Sequence, residues 1–200
     1  MSLKQNVIAI DGPSASGKGT VASRVAEALG FLYLDSGALY RLTALYAQKH
    51  NVAWTDEDAV STLAETLPAQ FEGSAVLLNG EDVSEQIRTE AIGMGASAVA
   101  QLPKVRAALL QRQRDFLTEK GLVADGRDIG SVIFPDAALK IFLTASANVR
   151  AQRRAKQLGI PCEGVAFERI LSDIEARDEA DRRRPVAPLK QLPDALLLDT

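Results

Sequence analysis

The stretch Gly12-Pro-Ser-Ala-Ser-Gly-Lys-Gly-Thr20 decides the fold, because it joins the apolar run Val7-Ile8-Ala9-Ile10 to a segment with helical periodicity. A strand, a glycine-rich turn, a lysine and a helix in this order are typical of a phosphate-binding loop. The glycines permit a tight turn close to a ligand, and Lys18 supplies a charge for the outer phosphates of a nucleotide. Most such loops carry Ser or Thr directly after the lysine, whereas this chain has Gly19 there and a threonine one residue later. The stretch predicts a loop that binds a nucleoside triphosphate.

Length and composition are those of one globular domain, with 200 residues of which 46% are hydrophobic and 24% charged. No apolar run approaches the roughly 20 residues that a membrane helix needs. Cys162 is the only cysteine, which excludes a disulfide framework or a thiolate zinc site within the chain. The first residues show no signal-peptide pattern, so we expect a cytoplasmic protein. A net charge of −3 argues against a general nucleic-acid binder.

Strands and helices alternate along most of the chain. After the first strand, buried strands are predicted at Phe31–Leu34, Leu122–Ala124, Leu139–Leu143 and Ala195–Leu198, with amphipathic helices among them. This alternation predicts an α/β protein with a parallel five-stranded sheet flanked by helices. The chain stops directly after the last strand, where a covering helix is expected, so we expect a shortened carboxyl terminus.

A different pattern interrupts this alternation between about residues 52 and 95. Ala75–Leu78 and Asp82-Val83 flank the pair Asn79-Gly80. Asn-Gly between two apolar strands is the strongest short signal for a β-hairpin. Since an antiparallel hairpin breaks the parallel alternation, we predict a small antiparallel β subdomain inserted into the single domain.

Polar residues follow the second predicted strand, at the edge where parallel sheets bind their ligands. They are Ser36, Tyr40 and Arg41, with Gly37 between them. We interpret Arg41 as a candidate clamp for an anionic second substrate. A surface helix arginine is the alternative, with equal weight on the local sequence.

The sequence Asp125-Gly-Arg-Asp128 follows another predicted strand and is the second informative stretch. Asp125 is a candidate for orienting water on a nucleotide-bound Mg²⁺. Arg127 is a candidate for holding a phosphate, and Asp128 for accepting hydrogen bonds from a base or a sugar. The alternative is a solvated loop.

Basic residues form two clusters near the carboxyl terminus. The first holds Arg150, Arg153, Arg154 and Lys156, and the second holds Arg177, Arg182, Arg183, Arg184 and Lys190. Arginine clusters in an acidic protein suit a compact polyanion such as phosphate, and solvated helix faces are the alternative. The break at 159–164, with arginines on both sides, predicts a helical lid over about residues 150–178.

One helical stripe changes from apolar to charged without leaving its side of the helix. Ile170, Ile174, Arg177, Asp181 and Arg184 are spaced four, three, four and three residues apart. We expect this charged extension of a core-facing stripe to point into a cleft. The alternative is a surface pair between Arg177 and Asp181. The proline at position 185 disfavours a helical conformation for Arg184.

Four motifs together resemble the bacterial cytidylate kinases, over essentially the whole chain. They are Gly12–Thr20, Asp35-Ser-Gly-Ala-Leu-Tyr-Arg41, Ala124-Asp-Gly-Arg-Asp-Ile-Gly130 and Arg177-Asp-Glu-Ala-Asp-Arg-Arg-Arg184. Loops of nucleoside monophosphate kinases commonly have Gly directly after the lysine, which accounts for Gly19. The family ends its charged helix in Arg-Ala or similar, whereas this chain has Pro185 there.

The resemblance implies a P-loop NTPase fold and transfer of the γ-phosphoryl group of MgATP to CMP or dCMP. ATP and Mg²⁺ are the implied cofactors, and small nucleotides are the implied partners, without nucleic acid or membrane. We expect a monomer, since nothing in the sequence marks an interface.

The resemblance also implies site residues. Catalytic roles are implied for Lys18, Asp125, Arg127 and Arg177. ATP binding is implied for Gly12, Pro13, Ser14, Ala15, Ser16, Gly17, Lys18, Gly19, Thr20 and Arg153, and Thr20 is the candidate magnesium ligand. Cytosine would be read by Ser97, Arg106 and Asp128, and the acceptor phosphate held by Arg41 and Arg127. The rest of the acceptor pocket is implied for Ser36, Gly37, Arg177, Asp181 and Arg184.

Two rival functions stay open at this point. The first is another small-molecule kinase of the same architecture, acting on UMP, AMP or a metabolite such as shikimate. The second is a nucleotide-dependent switch or a motor ATPase. No Asn-Lys-x-Asp motif that would read guanine occurs, and no apolar strand ends in an Asp-Glu pair that would activate water. These observations disfavour the second rival.

Overall fold

The computed structural model describes residues 5–73 and 75–200, which form two compact units. We call the chain up to Leu34 together with Phe116–Thr200 the sheet unit, and Asp35–Asp115 the hairpin unit. The helices are α1 (Lys18–Leu29), α2 (Ser36–Lys49), α3 (Glu57–Glu65), α4 (Glu90–Val99), α5 (Pro103–Arg114), α6 (Ala147–Leu158) and α7 (Gly164–Arg183). The strands are β1 (Gln5–Asp11), β2 (Leu32–Asp35), β3 (Ala69–Glu72), β4 (Ala75–Leu78), β5 (Glu81–Asp82), β6 (Leu122–Gly126), β7 (Ala137–Thr144) and β8 (Leu196–Asp199).

Five strands form one sheet in the order β2-β6-β1-β7-β8, which confirms the predicted parallel sheet. β1 is its central strand, and its side chains Val7, Ala9 and Ile10 are fully buried. A continuous apolar run is what a strand covered on both faces requires. Asp11, the last residue of β1, lies opposite Gly126 of β6. The register therefore brings the end of β6 beside the start of the predicted phosphate loop.

The hairpin unit contains the predicted antiparallel sheet, in the order β3-β4-β5. Asn79 and Gly80 have φ angles of 52° and 79°, the left-handed pair that a tight hairpin turn needs. β3 was not predicted, because an alternation of only four residues, Ala-Gln-Phe-Glu, is too short to be distinctive. A side chain of another element positions β3: Arg112 on α5 donates to the carbonyl oxygens of Leu67 and Ala69 at 2.6 and 2.8 Å.

Two further features of the fold bear on the site. A π-helical turn at Ile129–Ile133, which the sequence did not predict, follows the Asp125–Asp128 stretch. α6 and α7 stand on either side of the predicted break, and the role of this region as a lid stays a prediction. Within residues 5–73 and 75–200, no helix is both long and apolar enough to cross a membrane.

Candidate active site

The loop that follows β1 depends on glycine for reasons of backbone geometry. A Cβ atom built on Gly12 would lie 2.0 Å from the carbonyl oxygen of Leu143, so no larger residue fits there. Gly17 precedes α1 with a φ of 88°, in the left-handed region that side-chain-bearing residues rarely adopt. These two glycines shape the turn that leads into the amino terminus of α1, where helix N–H groups and the helix dipole favour an anion.

Three cations of the sheet unit bind carbonyl oxygens of this loop. Lys18 Nζ donates to Pro13 at 3.2 Å, Arg150 Nη1 to Ser14 at 3.1 Å, and Arg153 Nη1 to Ser16 at 3.1 Å. These bonds fix the orientation of the peptide groups in the loop. They also place positive charge around a segment that is predicted to receive a polyanion.

Two serine hydroxyls of the loop have unused hydrogen-bonding capacity. Among residues 5–73 and 75–200, the buried side-chain polar atoms without a hydrogen-bond partner are the Oγ atoms of Ser14 and Ser16. Leaving a buried polar group unsatisfied costs about 1–3 kcal/mol, so two in one loop call for an explanation. A bound triphosphate would supply the missing acceptors, and the loop therefore fits this group.

Asp125, at the end of β6, lies beside the start of α1. Its Oδ1 accepts a hydrogen bond of 2.7 Å from the Tyr33 hydroxyl. A Cβ atom built on Gly19 would lie 3.9 and 4.0 Å from the two oxygens of the Asp125 carboxylate. Asp125 thus flanks the position where most phosphate loops carry a metal-binding hydroxyl.

The donor set fits a magnesium ion that arrives with a nucleotide. Magnesium is usually held by one or two protein oxygens together with substrate phosphates. Asp125 and the exposed Thr20 on the first turn of α1 are oxygen-bearing residues of this region. Among the described residues, no group of three or more His, Cys, Asp or Glu side chains is placed to hold a metal.

Four charged residues at the ends of β6 and α7 form what we call the paired cluster: Arg127, Asp128, Asp181 and Arg184. Arg127 Nε donates to Asp181 Oδ2 at 2.7 Å, and Arg184 Nη2 donates to Asp128 Oδ1 at 3.3 Å. Asp128 and Arg184 are 3% and 5% exposed. Burial disfavours the charge on Arg127, but the surrounding carboxylates, Asp181 foremost, together outweigh burial and raise the pKa of the guanidinium. The predicted site residues of the sheet unit that cluster here are therefore held by one another in two ion pairs.

The charged stripe of α7 does not form the surface pair between Arg177 and Asp181 that was its alternative interpretation. Asp181 is buried and pairs with Arg127 across the sheet unit, so it is not half of a surface pair with Arg177. Arg177 is half-buried on α7. Arg184 lies just beyond the helix with a ψ of 138°, as expected for a residue that precedes proline. It still reaches Asp128, while its Nε donates to the Ala187 carbonyl at 2.5 Å.

The side chain of Arg150 is buried and bonded within the protein rather than exposed on a helix face. It is 3% exposed, and Nη1 and Nη2 donate to the two carboxylate oxygens of Asp178 at 3.1 and 2.5 Å. Its Nε donates to the Ala145 carbonyl. Sequence reasoning missed Asp178, although it lies three residues before Asp181, on the same side of α7.

Sequence reasoning also missed Asp11. This buried residue accepts hydrogen bonds from the backbone N–H groups of Ile129 and Gly130, each at 2.8 Å. The only signal in the sequence is a carboxylate directly before the glycine-rich loop, in a position that the register of the sheet makes buried.

The predicted acceptor residues of the hairpin unit are tied to their own unit. The buried Ser36 hydroxyl donates to Gln113 Oε1 at 2.6 Å, and Arg41 Nη1 donates to the Ile87 carbonyl at 2.8 Å. Gln113, which is fully buried, was not predicted as a site residue.

Arg106 is another buried member of the hairpin unit, with 7% of its surface exposed. Its Nη1 donates to the Ala100 carbonyl at 3.3 Å, and its guanidinium lies 5.6 Å from the centre of the Tyr40 ring. Ser97 is half-buried on α4, and Gly37 is exposed in the first turn of α2. Binding roles for these residues stay predictions.

Comparisons with known proteins agree with the resemblance seen in the sequence. The family model described as "Cytidylate kinase" matches residues 8–200. A cytidylate kinase of Neisseria meningitidis serogroup C is 81% identical over 98% of this chain and 90% of its own length. A cytidylate kinase of Chromobacterium violaceum is 62% identical over 97% of this chain and 87% of its own length. Among solved structures, a gluconokinase from Sinorhizobium meliloti matches 96% of this chain and 81% of its own with a TM-score of 0.46 and 17% identity.

Proposed function

The chain belongs to the cytidylate kinase family, and we propose that it transfers the γ-phosphoryl group of MgATP to CMP or dCMP, giving CDP or dCDP and ADP. Binding of ATP, the phosphoryl donor, is supported by the phosphate loop and its two serine hydroxyls without a hydrogen-bond partner. Family membership, at 81% identity to a cytidylate kinase, carries the choice of acceptor.

We assign the donor side to the loop from Gly12 to Thr20. The hydroxyls of Ser14 and Ser16 donate hydrogen bonds to phosphate oxygens. Lys18 Nζ leaves the Pro13 carbonyl and binds the outer phosphates instead. Arg153 lies beside the same segment, because its Nη1 donates to the Ser16 carbonyl. Asp125 and Thr20 are the residues that would hold a magnesium ion, which would supply positive charge to the bound triphosphate.

The acceptor side uses the paired cluster in this proposal. Cytosine presents an amino group where uracil presents a carbonyl oxygen. Asp128, held by Arg184, accepts from that amino group and repels the uracil oxygen. Arg127 binds the acceptor phosphate, which competes with Asp181 for the guanidinium. Arg177 lies on the same stripe of α7 and neutralises the transferred group.

In the hairpin unit, the acceptor roles implied by the resemblance are kept as proposals. They concern Ser36, Gly37, Arg41, Ser97 and Arg106.

The reaction needs no general base, because the acceptor phosphate is largely ionised at neutral pH. Catalysis then consists of positioning the two phosphates and neutralising the charge that develops between them. The predicted lid over residues 150–178 would exclude water and suppress hydrolysis of ATP. We further propose a cytoplasmic monomer, consistent with a chain that has one cysteine and no predicted interface.

The test is release of ADP from MgATP with CMP, dCMP, UMP, AMP and GMP measured in parallel. We expect rapid release with CMP and dCMP alone. Preference for another monophosphate would support the kinase activity and overturn the assignment of the residues that recognise cytosine. Binding of ATP without turnover on any acceptor would overturn the proposed activity and favour the nucleotide-switch alternative.

A further inference from the structure

Asp11 joins the end of β1 to the segment that follows Asp128. The carboxylate is 7% exposed, and each of its oxygens accepts one bond: Oδ1 from the N–H of Ile129 and Oδ2 from the N–H of Gly130, both at 2.8 Å. Two consecutive peptide groups are therefore held by one buried side chain that directly precedes the phosphate loop. Hydrogen bonds to a charged acceptor are the stronger kind.

The segment so held is the π-helical turn Ile129–Ile133. The carbonyl oxygen of Asp128 accepts from the N–H groups of Val132 and Ile133 at 2.9 and 3.2 Å, which closes the turn from its other side. Asp128 itself has a φ of −147° and a ψ of 25°, between extended and helical backbone. Turns of this kind are rare and occur frequently at functional sites. The two bonds to Asp11 thus set the backbone on which the Asp128 side chain stands.

We infer that Asp11 is a positioning residue for the acceptor base: it clamps Ile129 and Gly130 so that Asp128 is presented to cytosine. This inference rests on the proposed function, and it concerns a residue whose two carboxylate oxygens are already bonded to peptide N–H groups. The clamp also gives a role to the carboxylate that directly follows the apolar run Val7–Ile10 of β1.

The surroundings of the clamp leave little freedom. A Cβ atom built on Gly130 would lie 3.1 Å from the Lys140 side chain and 3.5 Å from Asp11 Oδ2. The charged groups that act on Asp11 from neighbouring elements are Lys18 of α1 and Asp128, which precedes the π-helical turn. The side chain of Lys140 on β7 lies against Gly130, whose N–H donates to Asp11 Oδ2.

Burial raises the pKa of Asp11 to about 6, against the lowering effect of the Gly130 and Ile129 N–H groups. A protonated carboxyl accepts more weakly at its hydroxyl oxygen. The clamp should therefore loosen as the pH falls through about 6.

The test compares Asp11→Asn with Glu119→Gln, a control that removes a carboxylate from an exposed position of the same unit. We expect the KM for CMP to rise about tenfold in Asp11→Asn, because one charged hydrogen bond is lost, with the KM for ATP within about twofold. The preference for CMP over UMP should fall by a similar factor. The control should change none of these.

A readout independent of turnover is the protection of the Ile129 and Gly130 amides from hydrogen exchange, followed by NMR. Both should be protected in the parent protein and lose protection in Asp11→Asn. Should that variant fail to fold, the protection of the same two amides in the parent protein at neutral pH tests the clamp. Exchange of both amides at the rate of unprotected peptide groups would overturn it.

Two outcomes separate this inference from the proposed function. A parent enzyme that phosphorylates CMP, with an Asp11→Asn variant unchanged in its KM for CMP, would overturn the inference alone. A parent enzyme with no turnover of CMP would overturn the proposed function, whatever the amides show. Because the CMP phosphate also titrates near pH 6, only the difference between the parent and variant pH profiles is assigned to Asp11.

Discussion

The phosphate loop and the paired cluster lie in the same unit, but they hold their polar groups in different ways. In the loop, protein cations bind the backbone carbonyls, while the hydroxyls of Ser14 and Ser16 have no protein partner. In the paired cluster, Arg127 and Arg184 already have carboxylate partners. The loop offers unused donors to a ligand, whereas the cluster offers donors that a ligand must take over from Asp181 or share with Asp128.

This difference has a chemical consequence. A site with unused donors binds any compact polyanion of the right size, so its affinity is high and its selectivity low. Where arginines are held by carboxylates, a ligand binds only if its own contacts replace the ion pairs that it breaks. A wrong ligand leaves buried charges unpaired. We therefore expect variants of the loop to change the rate with every acceptor, and variants of the cluster to change the choice among acceptors.

The largest effect should come from Lys18→Ala. Removing the mobile charge of the loop should lower kcat about 10²- to 10³-fold for every acceptor, as for other groups that stabilise charge in the transition state. Lys120→Ala, at an exposed site of the sheet unit, is the matched control and should leave kcat unchanged. Steady-state kinetics would check this, with circular dichroism to establish folding. Near-normal turnover in Lys18→Ala would remove the loop from the mechanism.

Asp178→Asn should have the next largest effect and tests how the loop is held. It leaves the buried Arg150 without its carboxylate, and it should lower the free energy of unfolding by about 3 kcal/mol. Glu179→Gln removes a carboxylate that pairs only with exposed arginines and should cost less than about 0.5 kcal/mol. Urea unfolding of both variants measures the difference. Equal losses would mean that the Arg150–Asp178 pair does not support the loop.

A smaller effect is expected from the pH dependence of stability through Asp11. Its folded pKa of about 6 lies above the ordinary value of 3.8, so the folded state binds the proton more tightly than the unfolded state does. The contribution of Asp11 to stability therefore decreases as the pH rises from 4 to 6, by about 2 kcal/mol. Urea unfolding of the parent and Asp11→Asn at both pH values gives this quantity as a difference. A parallel pH dependence in the two proteins would show that Asp11 titrates normally.

The smallest effect, and the most specific, is expected from Asp128→Ala. The ratio of kcat/KM for CMP to that for UMP should fall about tenfold, while the KM for ATP stays near that of the parent. Asp128→Asn provides a second variant that keeps a hydrogen-bonding partner for Arg184. An unchanged ratio in both variants would mean that cytosine is read elsewhere.

The sequence predicted the loop and the sheet because both depend on residues that are neighbours in the chain. Gly12, Gly17 and the apolar run before them act locally, and the Asn79-Gly80 pair marks its own turn. The pairings of the charged residues depend on tertiary contacts. Asp178 and Asp181 both lie on the inward side of α7, and only the positions of Arg150 and Arg127 on other elements decide which carboxylate each arginine meets.

The same limit explains the features that no pattern indicated. β3 has only a four-residue alternation of its own and is held by Arg112 of α5, and the π-helical turn is held by Asp11 of β1. Gln113 was passed over because its role depends on contact with Ser36, 77 residues earlier in the chain.

The measurement that tests the division between loop and cluster most directly is a side-by-side determination of kcat/KM for CMP and UMP in Lys18→Ala and Asp128→Ala. We predict that Lys18→Ala lowers both values by the same large factor and keeps their ratio, whereas Asp128→Ala lowers the value for CMP and brings the ratio toward unity. A Lys18→Ala variant with an altered ratio, or an Asp128→Ala variant that loses both activities equally, would contradict the account.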